Sequence, residues 1–137
     1  MIADDDRFFL SFLTDLLIER ALADHVIPCE SGSQFLTVAT ERLRQDPRGV
    51  LVILDIMMEP MDGIVTALAL RAVEQALNLA QPTPILFLSA ARYETLSRQI
   101  SRCQPALYLN KGTDSTPDKL GPRLEKVIGY LLSQRRR

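Results

Sequence analysis

The sequence predicts a single α/β domain built on a five-stranded parallel sheet with helices on both faces. Three observations carry this. Short apolar runs of strand character alternate five times with longer stretches of helical periodicity. No repeat or low-complexity segment interrupts the alternation. The 137 residues suffice for one domain with a real core and are too few for two ordinary ones.

Each element follows from local signals. Met1-Ile2-Ala3 has almost nothing ahead of Asp4, so either the true start lies upstream or the first strand is unusually short, in which case the centre of the sheet is expected to be weakened. Phe8, Phe9, Phe12, Leu13, Leu16 and Leu17 recur at helical spacing and mark the inward face of a helix over residues 7–22. A short strand follows at residues 25–29. Ser31-Gly32 then makes a turn, and a helix over residues 33–44 carries Phe35, Leu36, Ala39 and Leu43 inward until Asp46-Pro47-Arg48-Gly49 stops it. Leu51-Val52-Ile53-Leu54 is the third strand. Residues 63–79, rich in Ala and Leu, form a long helix ended by Gln81-Pro82-Thr83-Pro84, with residues 78–84 expected as a surface excursion. Ile85-Leu86-Phe87-Leu88 is the fourth strand, residues 91–102 the fourth helix, and Pro105 opens the last strand, Ala106-Leu107-Tyr108-Leu109-Asn110. Ser115-Thr116-Pro117-Asp118 has the shape of a capping box with proline in the first turn, and the fifth helix runs from it to about Ser133. The domain therefore covers residues 1–134, and residues 135–137 are a basic, solvated tail.

Composition narrows the function. A net charge of -1 offers no broad electrostatic footprint for nucleic acid. No apolar stretch approaches the roughly 20 residues that span a bilayer, and the N-terminus is acidic where a signal peptide would be basic and then apolar. Neither a nucleic acid nor a membrane is an expected partner, and a cytoplasmic location is expected by default. Cys29 and Cys103 lie far apart without metal-type pairing and read as reduced packing residues.

Four strand-like runs end in reactive side chains. Asp4 and Asp5 follow the first; Asp55 follows the third, with the tight turn Glu59-Pro60-Met61-Asp62-Gly63 behind it; Ser89 ends the fourth and Lys111 the fifth. In open parallel sheets, ligands bind beyond the carboxyl ends of the strands, where strand order reverses. The flavodoxin-like order 2-1-3-4-5 makes the Asp4/Asp5 strand and the Asp55 strand neighbours across that point, so one pocket can hold all five residues. The set is chemically coherent. Magnesium takes oxygen ligands, a carboxylate can accept a phosphoryl group as an acyl phosphate, and a hydroxyl and an ammonium can hold phosphoryl oxygens. Three clustered acids also repel, which raises at least one carboxyl pKa until a cation arrives. A helix N-terminus also favours acids, and Asp6 is assigned largely to that role.

Taken in order and at their spacing, Ile2-Ala3-Asp4-Asp5-Asp6, Leu54-Asp55 with Met61-Asp62-Gly63, Leu88-Ser89-Ala90 and Tyr108-Leu109-Asn110-Lys111 resemble a response-regulator receiver domain, the phosphoacceptor half of two-component signalling. The resemblance covers nearly the whole chain. It implies that Asp55 is the phosphoacceptor, Asp5 a direct ligand of Mg2+, Asp4 a ligand acting mainly through water, and the Met57 backbone carbonyl a further ligand. By the same resemblance Ser89 and Lys111 hold the phosphoryl oxygens and Tyr108 is the aromatic switch residue. The implied partners are a histidine kinase or histidine phosphotransfer protein and a downstream effector protein. A homodimer through the face of the fourth helix, fifth strand and fifth helix is also allowed. No catalysis beyond self-phosphorylation and self-dephosphorylation is expected.

Three positions depart from the usual pattern of that family. Pro60 comes one position late, Met57 stands where a polar residue is frequent, and Gly112 follows Lys111 where many members carry proline, so the Lys111–Gly112 bond is expected to be trans. One alternative is a pseudo-receiver, a constitutive interaction module with a vestigial acidic pocket. A phosphohydrolase of the haloacid-dehalogenase type would need a second acid two residues after Asp55, where Met57 sits. His25, the only histidine, lies near the start of a predicted strand and is poorly placed as a phosphohistidine donor.

Overall fold

In the computed structural model, which describes residues 1–112 and 116–135, five parallel strands lie in the order β2-β1-β3-β4-β5. The strands are β1 (Ile2–Ala3), β2 (Pro28–Cys29), β3 (Val52–Leu54), β4 (Ile85–Ser89) and β5 (Ala106–Asn110). The helices between and after them are α1 (Arg7–Glu19), α2 (Gly32–Gln45), α3 (Gly63–Ala76), α4 (Tyr93–Ser101) and α5 (Pro117–Arg135). This is the fold class and strand order read from the sequence.

The sheet is buried on both faces, as a parallel sheet with crossover helices must be. Successive strand residues point to opposite sides. Ile2, Ile53, Leu86 and Leu88 meet the leucines of α1 and α5, among them Leu13, Leu17, Leu120 and Leu124. Ala3, Val52, Leu54, Ile85 and Phe87 face the other way, toward Phe35 and Ala39 of α2, Ala67 and Leu70 of α3, and Ile100 of α4.

β1 is only two residues long, yet its backbone is bonded on both sides. Ile2 N donates to Ile27 O at 3.0 Å and Asp4 N to Cys29 O at 3.1 Å, while Met1 O and Ala3 O accept from Ile53 N and Asp55 N at 2.9 Å each. The expected weakening of the sheet centre is offset by this double ladder. The same register, Ala3 against Leu54, brings Asp4 and Asp55 side by side one residue further on.

Several boundaries differ from the sequence reading. Phe8 does not face inward: it is 90% exposed, and Leu10 joins Leu13, Leu16 and Leu17 in the buried stripe, with Phe9 and Phe12 half-buried at its margins. Adjacent aromatics blur the helical phase that the leucines set. α1 stops at Glu19, followed by Ala21 at φ 54, and α3 stops at Ala76, followed by Asn78 at φ 55. The excursion after α3 is not wholly superficial, because Leu79 packs against the core and Thr83 is buried. β2 is reduced to two residues, α4 begins at Tyr93, and α2 takes Ser31 as its cap, with Ser31 Oγ accepting from Gln34 N at 3.1 Å. Leu36 is only half-buried. α5 continues through Arg135. Ser115 of the expected capping box lies outside the described residues, as do Arg136 and Arg137.

Cys29 and Cys103 are free and buried, as expected. Among the described residues, no helix is long and apolar enough to cross a membrane. At the edge of the sheet away from the strand-end acids, Arg71 and Glu74 form a buried ion pair. The Arg71 guanidinium also donates to Thr83 O (2.8 Å), Cys103 O (2.8 Å) and Pro105 O (3.2 Å), and Glu74 accepts from Thr83 N. This network ties α3 to the segments that lead into β4 and β5.

Candidate functional site

The carboxyl ends of β1 and β3 deliver two acids to one place. Asp4 and Asp55 are buried, Asp5 is exposed, and one carboxylate oxygen from each lies within 4.8 Å of the others. Asp4 Oδ1 accepts from Asp6 N at 2.9 Å, and Asp55 Oδ1 accepts from Met57 N at 3.2 Å. Asp6 serves the helix instead. Its carboxylate caps α1, accepting from Phe8 N (3.1 Å) and Phe9 N (3.2 Å). The division between Asp6 and the two acids before it is the one read from the sequence.

Local geometry explains the Asp62-Gly63 pair. Asp62 caps α3 by accepting from Val65 N at 2.8 Å, and Gly63 N donates to Ile56 O at 2.9 Å. A Cβ on Gly63 would lie 2.2 Å from Asp55 O and 2.8 Å from Ile56 Cα. Only glycine lets the start of α3 come this near the Asp55 backbone.

Lys111 reaches back from the end of β5 to both buried acids. Its Nζ lies 2.7 Å from Asp4 Oδ2 and 3.4 Å from Asp55 Oδ2, and 4.1 Å from the centroid of the Phe9 ring. Helical periodicity marks Phe9 only as a core residue; in the fold it also holds an ammonium over its ring face. The Lys111–Gly112 peptide is trans, cis bonds occurring before Pro60 and Pro105, and Gly112 sits at φ 75, a conformation that favours glycine. Lys111 N donates to Ser89 O at 2.9 Å, so the fourth and fifth strand ends are joined at the site.

Ser89 is buried, and its Oγ accepts from Ala91 N at 3.3 Å. Burial, followed by the charge of Asp4, raises the Asp55 carboxyl above its ordinary pKa; Lys111, the Met57 N–H and a hydrogen bond with the Ser89 side chain pull it down only in part. The expected effect of clustered acids is thus present, with burial as its larger cause.

Tyr108 is half-buried. Its Oη lies 3.3 Å from Ser89 O and accepts from Asn110 Nδ2 at 3.2 Å, and its ring centroid is 5.6 Å from that of Tyr93. Asn110 is a connecting residue that no sequence signal singles out. Its Nδ2 also reaches Ala91 O at 3.3 Å, and its Oδ1 accepts from Gly112 N at 2.7 Å, so one side chain joins the loop after Ser89 to the loop after Lys111. Met57 exposes 64% of its surface beside Asp55.

The donor set fits a hard divalent cation. It offers carboxylate oxygens from Asp4, Asp5 and Asp55, and among the described residues Lys111 is the one cation paired with Asp4 and Asp55.

No protein-family model matches the chain, and no curated protein does. Solved structures do. The signal receiver domain of the response regulator NarL from Mycobacterium tuberculosis is similar at 22% identity with a TM-score of 0.68 over 93% of each chain. The response regulator domain of Thermotoga maritima CheB gives 17% and 0.70 over 96% of this chain and 93% of its own. The receiver domain of the Arabidopsis thaliana histidine kinase CKI1, solved in complex with Mg2+, gives 21% and 0.69 over 92% and 88%. The chain therefore has the fold of response-regulator receiver domains, and at these identities its chemistry rests on its own residues.

Proposed function

We propose that this protein is a magnesium-dependent receiver that accepts a phosphoryl group on Asp55 from a histidine kinase or histidine phosphotransfer protein and passes the signal to an effector protein through a changed surface. The observation that carries the reading is the placement of three carboxylates within 4.8 Å of one another, two of them buried, with the Lys111 ammonium 2.7 and 3.4 Å from Asp4 and Asp55.

In this reading an Asp55 carboxylate oxygen forms a bond to phosphorus as the phosphorus–nitrogen bond of the donor's phosphohistidine breaks, the electron pair returning to the imidazole. Catalysis of such a step is mostly positioning and charge neutralisation. The Met57 N–H orients the Asp55 carboxylate, Lys111 supplies a positive charge to the incoming oxygens, and the Ser89 hydroxyl donates to them once they arrive. Asp4, Asp5 and Asp55, with the Met57 carbonyl, would hold Mg2+, which when bound neutralises negative charge on the phosphoryl oxygens. Because Ser89 O lies beside Tyr108 Oη, a movement of the Ser89 loop toward the phosphoryl group would be felt at Tyr108.

Incubation with a small phosphodonor and Mg2+, followed by intact mass, tests the reading. A gain of one phosphate in the wild type and none in Asp55→Asn is expected. A folded wild-type protein that never labels with the small donor or with a phosphorylated histidine phosphotransfer protein would leave the pseudo-receiver account in its place.

A further inference from the structure

Phe9 belongs to the first turn of α1, yet its ring lies at the strand ends. It sits half-buried at the margin of the leucine cluster that α1 and α5 form with the sheet. Two contacts fix it there. The Asp6 carboxylate that caps α1 accepts from Phe9 N at 3.2 Å, which sets the backbone, and the Phe12 ring packs against the Phe9 ring, with centroids 5.9 Å apart and planes tilted by 43°. Phe8, one residue earlier, stands out in solvent.

Over the Phe9 ring, 4.1 Å from its centroid, stands the Lys111 ammonium, which also lies 2.7 Å from Asp4 Oδ2 and 3.4 Å from Asp55 Oδ2. These partners differ in kind. Asp4 and Asp55 hold the ammonium by their charge, and the same carboxylates are the oxygens offered to a divalent cation, so Lys111 must share them with a bound metal. A phenyl face is no ligand for a hard cation and is not shared. It attracts an ammonium through the ring quadrupole, most strongly where water is excluded, and the Lys111 side chain is only 15% exposed. Lysine carries a compact charge on a flexible four-carbon stem, so a fixed neighbour that outlasts metal binding decides where that charge rests.

We propose that Phe9 is a positioning residue of the phosphoacceptor pocket: its ring face keeps the Lys111 ammonium beside Asp55 when the carboxylates are engaged by a divalent cation, so that the charge is in place for the arriving phosphoryl oxygens. The inference deepens the phosphoacceptor reading and rests on it. A role in packing alone makes no use of the ring quadrupole, which gives the two roles separate signatures.

The test varies the electrostatics of the ring at nearly constant shape. In the full chain, Phe9 is replaced by its mono-, di- and trifluoro analogues, which progressively cancel the negative ring face, and separately by Tyr and by Leu. Labelling of Asp55 by acetyl phosphate in saturating Mg2+ is followed by intact mass; the bond from the Asp55 oxygen to phosphorus forms as the donor's phosphorus–oxygen bond breaks and acetate leaves. Rates should fall stepwise with fluorination, by about fivefold with three fluorines or with Leu. Phe9→Tyr should label as wild type does, and the thermal melts of the fluorinated proteins should coincide. The same fluorines at Phe8 should change nothing, and in a Lys111→Met background the series at Phe9 should be flat. A second readout needs no phosphodonor. In unphosphorylated protein the ring should shift the Lys111 Cε protons upfield, in chelator and in saturating Mg2+ alike, and Phe9→Leu should abolish that shift. Rates indifferent to fluorination, a graded series that persists without Lys111, or loss of the upfield shift on adding Mg2+ would each overturn the proposal. Should Leu or Tyr fail to fold, the fluorinated series still decides. A wild type that never labels takes this proposal down with the phosphoacceptor reading, whereas a labelling wild type with a flat fluorine series removes the role of Phe9 alone.

Discussion

Gly63 stands so near Asp55 that a Cβ on it would come within 2.2 Å of the Asp55 carbonyl oxygen. The turn that carries the candidate phosphoacceptor and the start of α3 are therefore one packed unit. Gly63→Ala must push backbone against backbone, since the atoms it would meet belong to Asp55 and Ile56. A loss of about 1–3 kcal/mol is expected from such overpacking, with slower labelling of Asp55 by a small phosphodonor. Urea unfolding and a mass time course measure the two effects, and unchanged values for both would show that the turn yields freely.

Lys111 is the cation that accompanies Asp4 and Asp55 in the pocket. Replacing it by Met leaves two buried carboxylates facing each other without it. Removing one partner of a buried ion pair costs about 3–5 kcal/mol, and the open side of the pocket at Asp5 should hold the loss near the lower end. Denaturant unfolding in chelator should show the loss, and added Mg2+ should recover part of it. A Lys111→Met protein as stable as wild type in chelator would contradict the role assigned to this contact.

Magnesium is expected to raise the stability of the unphosphorylated protein, because a cation that binds the folded form only stabilises it by linkage. At a free concentration 100 times Kd the gain is about 2.7 kcal/mol. Thermal melts with Mg2+ and with chelator should separate accordingly, and Asp5→Ala should abolish most of the separation. Coincident melts across a wide titration would count against the metal site.

Ser89→Ala should leave Asp55 able to accept phosphate but shrink the conformational response. A hydrogen bond to a charged group contributes about 1.5–3 kcal/mol, so Ser89 and Lys111 together offer about 3–6 kcal/mol, against about 5.5 kcal/mol needed to invert a 1:99 equilibrium. Neither donor suffices alone. Amide exchange at Tyr108 and in α4 of fully phosphorylated protein measures the response, and one of wild-type size in Ser89→Ala would exclude this coupling.

Arg71→Met should destabilise the fold by about 3–5 kcal/mol, because it strips Glu74 of its buried partner and removes donors from Thr83 O, Cys103 O and Pro105 O. The network lies at the opposite edge of the sheet from Asp55, so the phosphate gain of the folded fraction should be unaltered. Comparing unfolding midpoints with labelling stoichiometry separates the two.

The elements were legible wherever a local rule governed them. β4 and β5 follow from apolar runs bounded by turn residues, the start of α1 follows from Asp6 as a cap, and that of α3 from the turn that ends at Gly63, whereas the capping role of Asp62 emerged only in the structure. Legibility failed where several residues compete for one position. Phe8, Phe9 and Phe12 are as apolar as the leucines around them, yet only the packing of Leu10, Leu13 and Leu17 against α5 and the sheet sets the helix phase, and Phe8 is left outside. Arg71 and Glu74 look like an ordinary exposed pair one helical turn apart; nothing local reveals that the chain after α3 folds back over them.

What the sequence by itself determined is the alternation of strand and helix and the identity of the residue at each strand end, because periodicity and turn chemistry act over a few neighbouring residues. Which of those ends meet was decided by the tertiary structure. Lys111 and Asp4 are 107 positions apart, and they touch because parallel strands joined by helical crossovers all end at one edge, in an order that puts β1 beside β3. The Asn110 bridge from Ala91 to Gly112 and the ring of Phe9 beneath Lys111 arise in the same way. Each depends on how two loops or two layers are placed against one another, and that placement is a balance of packing over the whole domain.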